Sequence, residues 1–193
     1  STLELKMKRC QWCKSDVLYI KYHDEEWGVP VHSDKKLFES LMLEGAQAGL
    51  NWIMVLKKRS AYRAAFDKFD FNMIATYEES KIQSLFNNSG IIRNKLKIRA
   101  IVKNAHALIK VREEFGTFNK YIWQFTKHKT IHNKWKSIKT IPVNTDISDL
   151  MSKDLKNRGF TFVGTTICYA FMQAVGMIND HTVDCHRYRE LKE

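Results

Sequence analysis

Apolar residues recur at helical spacing through most of the chain. From Asp34 onward Leu37, Phe38, Leu41, Met42 and Ala48 line one helical face. Glu44 lies seven residues after Leu37 and three after Leu41, so the same stripe turns a carboxylate inward. Gly49 stops this helix, Asn51 caps the next, and Trp52 brings an indole close to the carboxylate. The second helix is expected to reach about residue 66, with Trp52, Val55, Leu56 and Phe66 inward and Lys57, Lys58, Arg59 and Arg63 in water. A shorter helix follows at about 78–87. After the tight connection Asn88-Ser89-Gly90-Ile91-Ile92-Arg93, Asn94 caps a long helix ending near Gly116, with Leu96, Ile101, Ala105, Leu108 and Ile109 on one face. Residues 118–125 read as a short helix and 127–139 as a basic, irregular stretch anchored by Trp135. Asp146 or Ser148 caps a helix to Asn157, and Gly164-Thr165-Thr166 opens the last apolar helix, 167–177. The aromatic-rich segment up to Gly28 reads as the wall of a site rather than a regular element. No alternating run demands a sheet, so the expected class is mainly α.

At 193 residues the chain can bury one sizeable core, and with two prolines, 8 glycines and no repeat or low-complexity tract it shows no linker. A single compact unit over 7–193 is expected, with Ser1–Lys6 read as an added leader before a natural start at Met7. No apolar run is long enough for a membrane span and no signal-peptide core is present, so a cytoplasmic protein without membrane association is expected. The net charge of +11 is uneven: −1 over 1–50, +8 over 51–110 and +4 over 111–193. A basic block on a folded, aromatic-rich chain points to a polyanion such as nucleic acid. Cys10, Cys13, Cys168 and Cys185 lack a secreted-type framework, which favours reduced thiols, some on a metal; Cys168 reads as a small buried hydrophobe.

Three features carry candidate chemistry. An inward glutamate is either a core residue satisfied by an amide or an arginine, or an acceptor facing a polar cavity. The turn at 88–94 is either an ordinary helical hairpin or a phosphate cradle, with backbone N–H groups and the start of the following helix assisted by Arg93, Lys95, Lys97 and Arg99. His181 and Cys185, four apart, would share a face on a helical turn, and two of Cys10, Cys13 and His23 would complete a closed tetrahedral zinc site. His186 competes with His181 on spacing. Such a clasp would close a very long loop, a cross-link worth on the order of 4 kcal/mol if treated like a disulfide.

The stretches Tyr22-His23-Asp24-Glu25-Glu26-Trp27-Gly28-Val29-Pro30, Leu43-Glu44-Gly45-Ala46-Gln47-Ala48-Gly49-Leu50-Asn51-Trp52 and Gly159-Phe160-Thr161-Phe162-Val163-Gly164-Thr165-Thr166-Ile167-Cys168-Tyr169 together resemble the 3-methyladenine DNA glycosylase I family, over about residues 7–185. The resemblance implies a mainly α helix-hairpin-helix glycosylase fold, with a zinc-binding lobe from about 7–30 and 165–193 and a DNA-anchoring hairpin at about 78–115. It implies one structural Zn2+ on Cys10, His23, His181 and Cys185, leaving Cys13 without a role. The base pocket becomes Glu44 as catalytic hydrogen-bond acceptor, with Tyr22 and Trp52 sandwiching the base and Trp12, Tyr19 and Trp27 as further contributors or core aromatics. Gly49 and Leu50 fall where the family plugs the space of the extruded nucleotide, and Gly90, Ile91, Arg93 and Lys95 match the DNA anchor. The implied activity is monofunctional excision of 3-methyladenine from double-stranded DNA by a monomer, releasing free base and leaving an abasic site. Two rivals stand against it. A zinc nucleobase deaminase lacks support, because no His-x-Glu occurs and Cys10-x2-Cys13 has no preceding proline. A non-enzymatic DNA-binding module explains the charge but not a buried acceptor beside aromatics.

Overall fold

The computed structural model describes residues 7–193; the reading of Ser1–Lys6 as a leader concerns residues outside this range. The described residues form ten α-helices: α1 Val17–Glu25, α2 Asp34–Gln47, α3 Trp52–Ala65, α4 Phe71–Ile74, α5 Glu79–Phe86, α6 Lys95–Phe115, α7 Phe118–Trp123, α8 Asp146–Asn157, α9 Thr165–Ala174 and α10 His186–Lys192. No helix among them is long and apolar enough to cross a membrane.

The core forms around α2, whose Leu37, Phe38 and Leu41 are wholly buried and which packs on α3, α6, α7 and α9. Ser33 caps α2 by accepting from the Lys36 amide, while Asp34 reaches out to accept from the Phe118 and Asn119 amides at the start of α7. α6 turns Ile98, Ile101, Ala105, Leu108 and Val111 inward. Leu96, expected on that face, is 72% exposed, because the helical period puts it on the opposite side of α6 from Ile101 and Ala105. A second, smaller apolar cluster joins Cys10, Tyr22, Trp27, Leu56 and Cys185, and Trp52 packs against both clusters.

Several expectations need correction. Residues 17–25 are a helix rather than irregular wall, capped by Asp16, which accepts from the Tyr19 amide; aromatics on more than one side had hidden its period. A parallel two-stranded pair, β1 Ile131–His132 and β2 Ile178–Asn179, runs through the basic stretch. Two residues per strand are too few to leave an alternating signal. Thr145, not Asp146 or Ser148, caps α8, in a reciprocal box in which Ser148 bonds back to the Thr145 amide. α9 stops at Ala174, and the C-terminal α10 was not anticipated.

The chain beyond α9 is fixed against residues 28–31. Gly28 N–H donates to the Gln173 carbonyl and Val31 N–H to the Val175 carbonyl. Gly176, at φ +76°, sits so close that a Cβ there would lie 2.4 Å from Pro30 N and 2.5 Å from the Val29 carbonyl carbon. Backbone cannot retreat as a flexible side chain can. Gly176→Ala is therefore expected to destabilise the fold by roughly 2–4 kcal/mol, combining strain at positive φ with overpacking, read as a lower denaturation midpoint.

Candidate functional site

α1, α2, α3 and α9 converge on a cavity of about 310 Å³. Tyr19 and Tyr22 come from α1, Glu44 and Gln47 from the last turn of α2, Trp52 from the first turn of α3, and Gln173 from α9. Trp12, Trp27 and the segment 138–143 close the rest. Sequence reasoning missed Gln173 and the 138–143 wall, since nothing local marks residues that far along the chain as neighbours of Glu44.

Glu44 is 3% exposed. Burial raises its pKa to about 8, and among the described residues no charge or hydrogen bond offsets the loss of water. The group therefore holds its proton well above the ordinary carboxyl range. Beside it the indole N–H groups of Trp12 and Trp52 are buried without acceptors. Leaving such a donor without a partner costs about 1–3 kcal/mol. Tyr22 is also buried, and its pKa is pushed well above the ordinary value, first by burial and then by Glu44. Trp12 packs edge-on at 5.0 Å from both Tyr19 and Trp27, so these three rings form a collar. The cavity thus offers aromatic surface and an acidic group to a flat, polar-edged ligand.

The expected sandwich is not formed. The Tyr22 and Trp52 ring centroids are 5.5 Å apart and tilted by 47°, whereas a ring between them would need about 7 Å, two contacts of roughly 3.5 Å. The two rings touch each other and together present one wall.

Cys10, His23, His181 and Cys185 are all buried, with one ligand atom of each within 4.8 Å of the others. The separations test whether a metal fits. His23 Nε2 and His181 Nδ1 are 3.2 Å apart, Cys185 Sγ lies 3.4 Å from the first and 3.5 Å from the second, and Cys10 Sγ lies 3.5 Å from His181 Nδ1. Tetrahedral zinc with arms of roughly 2.0 Å to nitrogen and 2.3 Å to sulfur has edges of about 3.3 and 3.5 Å. The donor set fits. An outer layer fixes the ring orientations: His23 Nδ1 faces Asp24 Oδ1 at 2.7 Å, and His181 Nε2 donates to the Trp27 carbonyl at 2.8 Å. Arg9 forks onto Asp24 and His186 Nε2 meets it at 3.2 Å, so His186 belongs to this outer layer rather than to the ligands. Cys185 is the thiol held well below its ordinary pKa, through hydrogen bonding from Cys10. Cys13 Sγ is turned away, donating to the Cys10 carbonyl. His181 and Cys185 do not share a helical turn as expected: both lie on the loop before α10, and Cys185 is the residue that precedes that helix.

The remaining candidates lie on two corners. Between α2 and α3, Gly49 adopts φ +80° and is open to solvent, and Leu50 is 37% exposed. Between α5 and α6, a Cβ on Gly90 would come 2.9 Å from Ala61 Cβ, so glycine lets the turn lie on α3, and the Tyr62 hydroxyl accepts from Ile92 N–H. Ile91 is buried in the core, which leaves only its backbone to offer, whereas Arg93 and Lys95 are exposed. Two of the four expected cations are committed elsewhere. Lys97 Nζ donates to the Ala46 and Ala48 carbonyls at the end of α2, and Arg99 is forked onto Glu79.

Glu44 ties stability to pH. Folded, it keeps its proton up to about 8; unfolded, it loses it near 4.5, so between these values the folded state binds more protons and stability falls as pH rises. Glu44→Gln cannot ionise. The melting temperature of that variant relative to the parent is expected to climb between about pH 5 and pH 8.5, and a difference that stays flat over this range would contradict the raised pKa.

A model of the methyladenine glycosylase family matches residues 12–188. The chain is 50% identical over 182 residues to DNA-3-methyladenine glycosylase 1 of Escherichia coli, covering 94% of this chain and 97% of that protein. It is 48% identical over 177 residues to the DNA-3-methyladenine glycosylase of Haemophilus influenzae, covering 92% and 96%. Among solved structures it is similar to 3-methyladenine DNA glycosylase I of Staphylococcus aureus, with a TM-score of 0.90 at 33% identity, over 93% of this chain and 96% of that one. With a match from Trp12 to Tyr188 and half of all aligned residues shared, the chain belongs to the methyladenine glycosylase family.

Proposed function

We infer that this protein is a DNA-repair hydrolase that excises 3-methyladenine from alkylated double-stranded DNA, cutting the N-glycosidic bond and leaving an abasic site. The relatives from Escherichia coli and Haemophilus influenzae are named for that activity, and the Staphylococcus aureus structure was described for its recognition of 3-methyladenine. The single observation in this molecule that carries the reading is the buried, unpartnered Glu44 carboxyl in an aromatic cavity. A phosphate-binding module has no use for it.

Methylation at N3 gives the adenine ring a positive charge, so the base departs neutral and needs less acid assistance than an undamaged purine. Glu44 accepts hydrogen bonds from the extruded base, and the positive ring lowers the carboxyl pKa in turn, which favours the ionised form. Tyr22 and Trp52 provide the stacking wall, whose electron-rich faces favour a cation. Water completes hydrolysis at the sugar. Extrusion itself is offset by Leu50 and the Gly49 backbone entering the vacated space, and by Gly90, Ile91, Arg93 and Lys95 holding the phosphates in a helix-hairpin-helix anchor. The start of α6 suits that task because its first amides lack intrahelical partners. Lys97, committed to the carbonyls of Ala46 and Ala48, is not free to attack the sugar, which supports a monofunctional enzyme.

Cys10, His23, His181 and Cys185 hold one structural zinc ion in this reading, clasping a lobe of about 7–30 and 165–193. A closed set of four protein ligands leaves no position for substrate. Four cysteines outside disulfides suit a reducing cytoplasm.

Glu44→Gln and Trp52→Ala are each expected to cut release of free base from methylated DNA by about 10²-fold or more while keeping the helical circular-dichroism spectrum. Parental release by both would place the pocket elsewhere. Cys185→Ser is expected to lose its bound zinc, measured by atomic absorption, and to melt at lower temperature; full zinc content in that variant would remove Cys185 from the ligand set.

A further inference from the structure

α1, α2 and α3 all send side chains to the base cavity, among them Tyr22, Glu44 and Trp52. α3 is also tied to the other two helices from a single stripe. Arg59 and Arg63 lie seven and eleven residues beyond Trp52, two and three turns along the same face. Arg59 forks onto Glu26, the residue closing α1, with Nη1–Oε1 at 2.7 Å and Nη2–Oε2 at 3.0 Å. Arg63 forks onto Glu39 of α2, with Nε–Oε1 at 2.6 Å and Nη2–Oε2 at 3.0 Å. The sequence had placed both arginines in water.

What makes these pairs more than surface decoration is the space they border. Behind the Tyr22 and Trp52 rings lies a second cavity of about 440 Å³, lined by Glu26, Glu39, Arg59 and Arg63 and sharing Tyr22 and Trp52 with the base cavity. Tyr22 and Trp52 are therefore a partition shared by the two cavities. Trp52 also packs on both apolar clusters, so this wall is backed in part by core and in part by the open rear cavity. Stacking then depends on keeping the three helices from parting, and forked guanidinium pairs hold direction as well as distance.

We propose that Arg59 and Arg63 are positioning residues for the glycosylase reaction, two forked ion pairs that brace the Tyr22–Trp52 partition from the rear cavity so that the base stacks against a fixed wall. The proposal rests on the base-pocket reading given above. Neither arginine touches the base. Half-exposed ion pairs contribute little to global stability, so a positioning role separates cleanly from a structural one.

The test measures calorimetric binding of free 3-methyladenine, kcat and KM on methylated duplex, and melting temperature for Arg59→Met, Arg63→Met, Arg59→Lys and the exchanged pair Glu26→Arg with Arg59→Glu. Both methionine variants are expected to bind the base about tenfold more weakly and to lose kcat by a similar factor, with KM for duplex within about twofold, since misplacement of the wall touches the reacting base and not the phosphate contacts. Arg59→Lys keeps the charge but not the fork and is expected to fall with them, which keeps the proposal open to refutation if a methionine variant fails to fold. The exchanged pair restores opposite charges at the two positions and is expected to recover affinity to within about threefold of the parent. Parental affinity in both methionine variants overturns the brace, and so does an exchanged pair that melts like the parent yet binds weakly. Trp52→Ala, measured alongside, tells the two readings apart. If it binds the base normally the pocket itself falls and the brace with it; if it loses the base while the arginine variants keep it, the brace alone falls.

Discussion

A carboxyl group is held away from water at the end of α2 with no hydrogen-bond partner among the described residues. Burial pushes its pKa to about 8, which means the fold bears the cost either of desolvating a charge or of keeping a proton on an acid at neutral pH. That cost is sustainable only because the same helix is wrapped on its other positions: Leu37, Phe38 and Leu41 are wholly buried against neighbouring helices, and few positions on α2 are left to yield. The apolar core and the acidic group are two parts of one stripe, and the second is tolerated because the first is so well packed.

The cavity wall opposite α2 depends on the chain ends. Tyr22 precedes His23, and Trp27 lends its carbonyl to His181 while lining the cavity with its ring. Trp12 lies between Cys10 and Cys13 and packs on Tyr19 and Trp27. Whatever fixes the four-residue cluster of Cys10, His23, His181 and Cys185 therefore also fixes the aromatic collar. Asp180, wholly buried beside His181, extends this order outward by accepting from Asn133, Trp135, Tyr169 and Gln173. Gln173 lines the cavity, so one buried carboxylate links the loop carrying the cluster to the far wall of the site.

The two buried acids show opposite solutions to the same problem. Asp180 is surrounded by donors and serves as a structural hub; Glu44 has none and remains available. Burial by itself does not distinguish them. The inventory of partners does, and it marks Glu44 as the group whose bonding is completed from outside.

Local pattern determined a good deal here. Helical period, glycine stops and asparagine caps placed α2, α3, α5 and α6 within a residue or two, and put Glu44 inward beside Trp52, because these signals are written in neighbours three and four positions apart. The ligand types and their distance along the chain suggested a clasp between the ends, and the ordered motifs carried the family. Tertiary structure alone decided what depends on distant partners. It chose His181 over His186 by the bonds each ring's other nitrogen makes, and it turned Cys13 away. It turned Lys97 onto the carbonyls closing α2 and Arg99 onto Glu79, set Tyr22 against Trp52 with no slot between, and brought the 138–143 segment and Gln173, more than ninety residues from Glu44 in sequence, to the same cavity. Spacing along a chain fixes which face a side chain occupies; only the packing of one element on another fixes what that face meets.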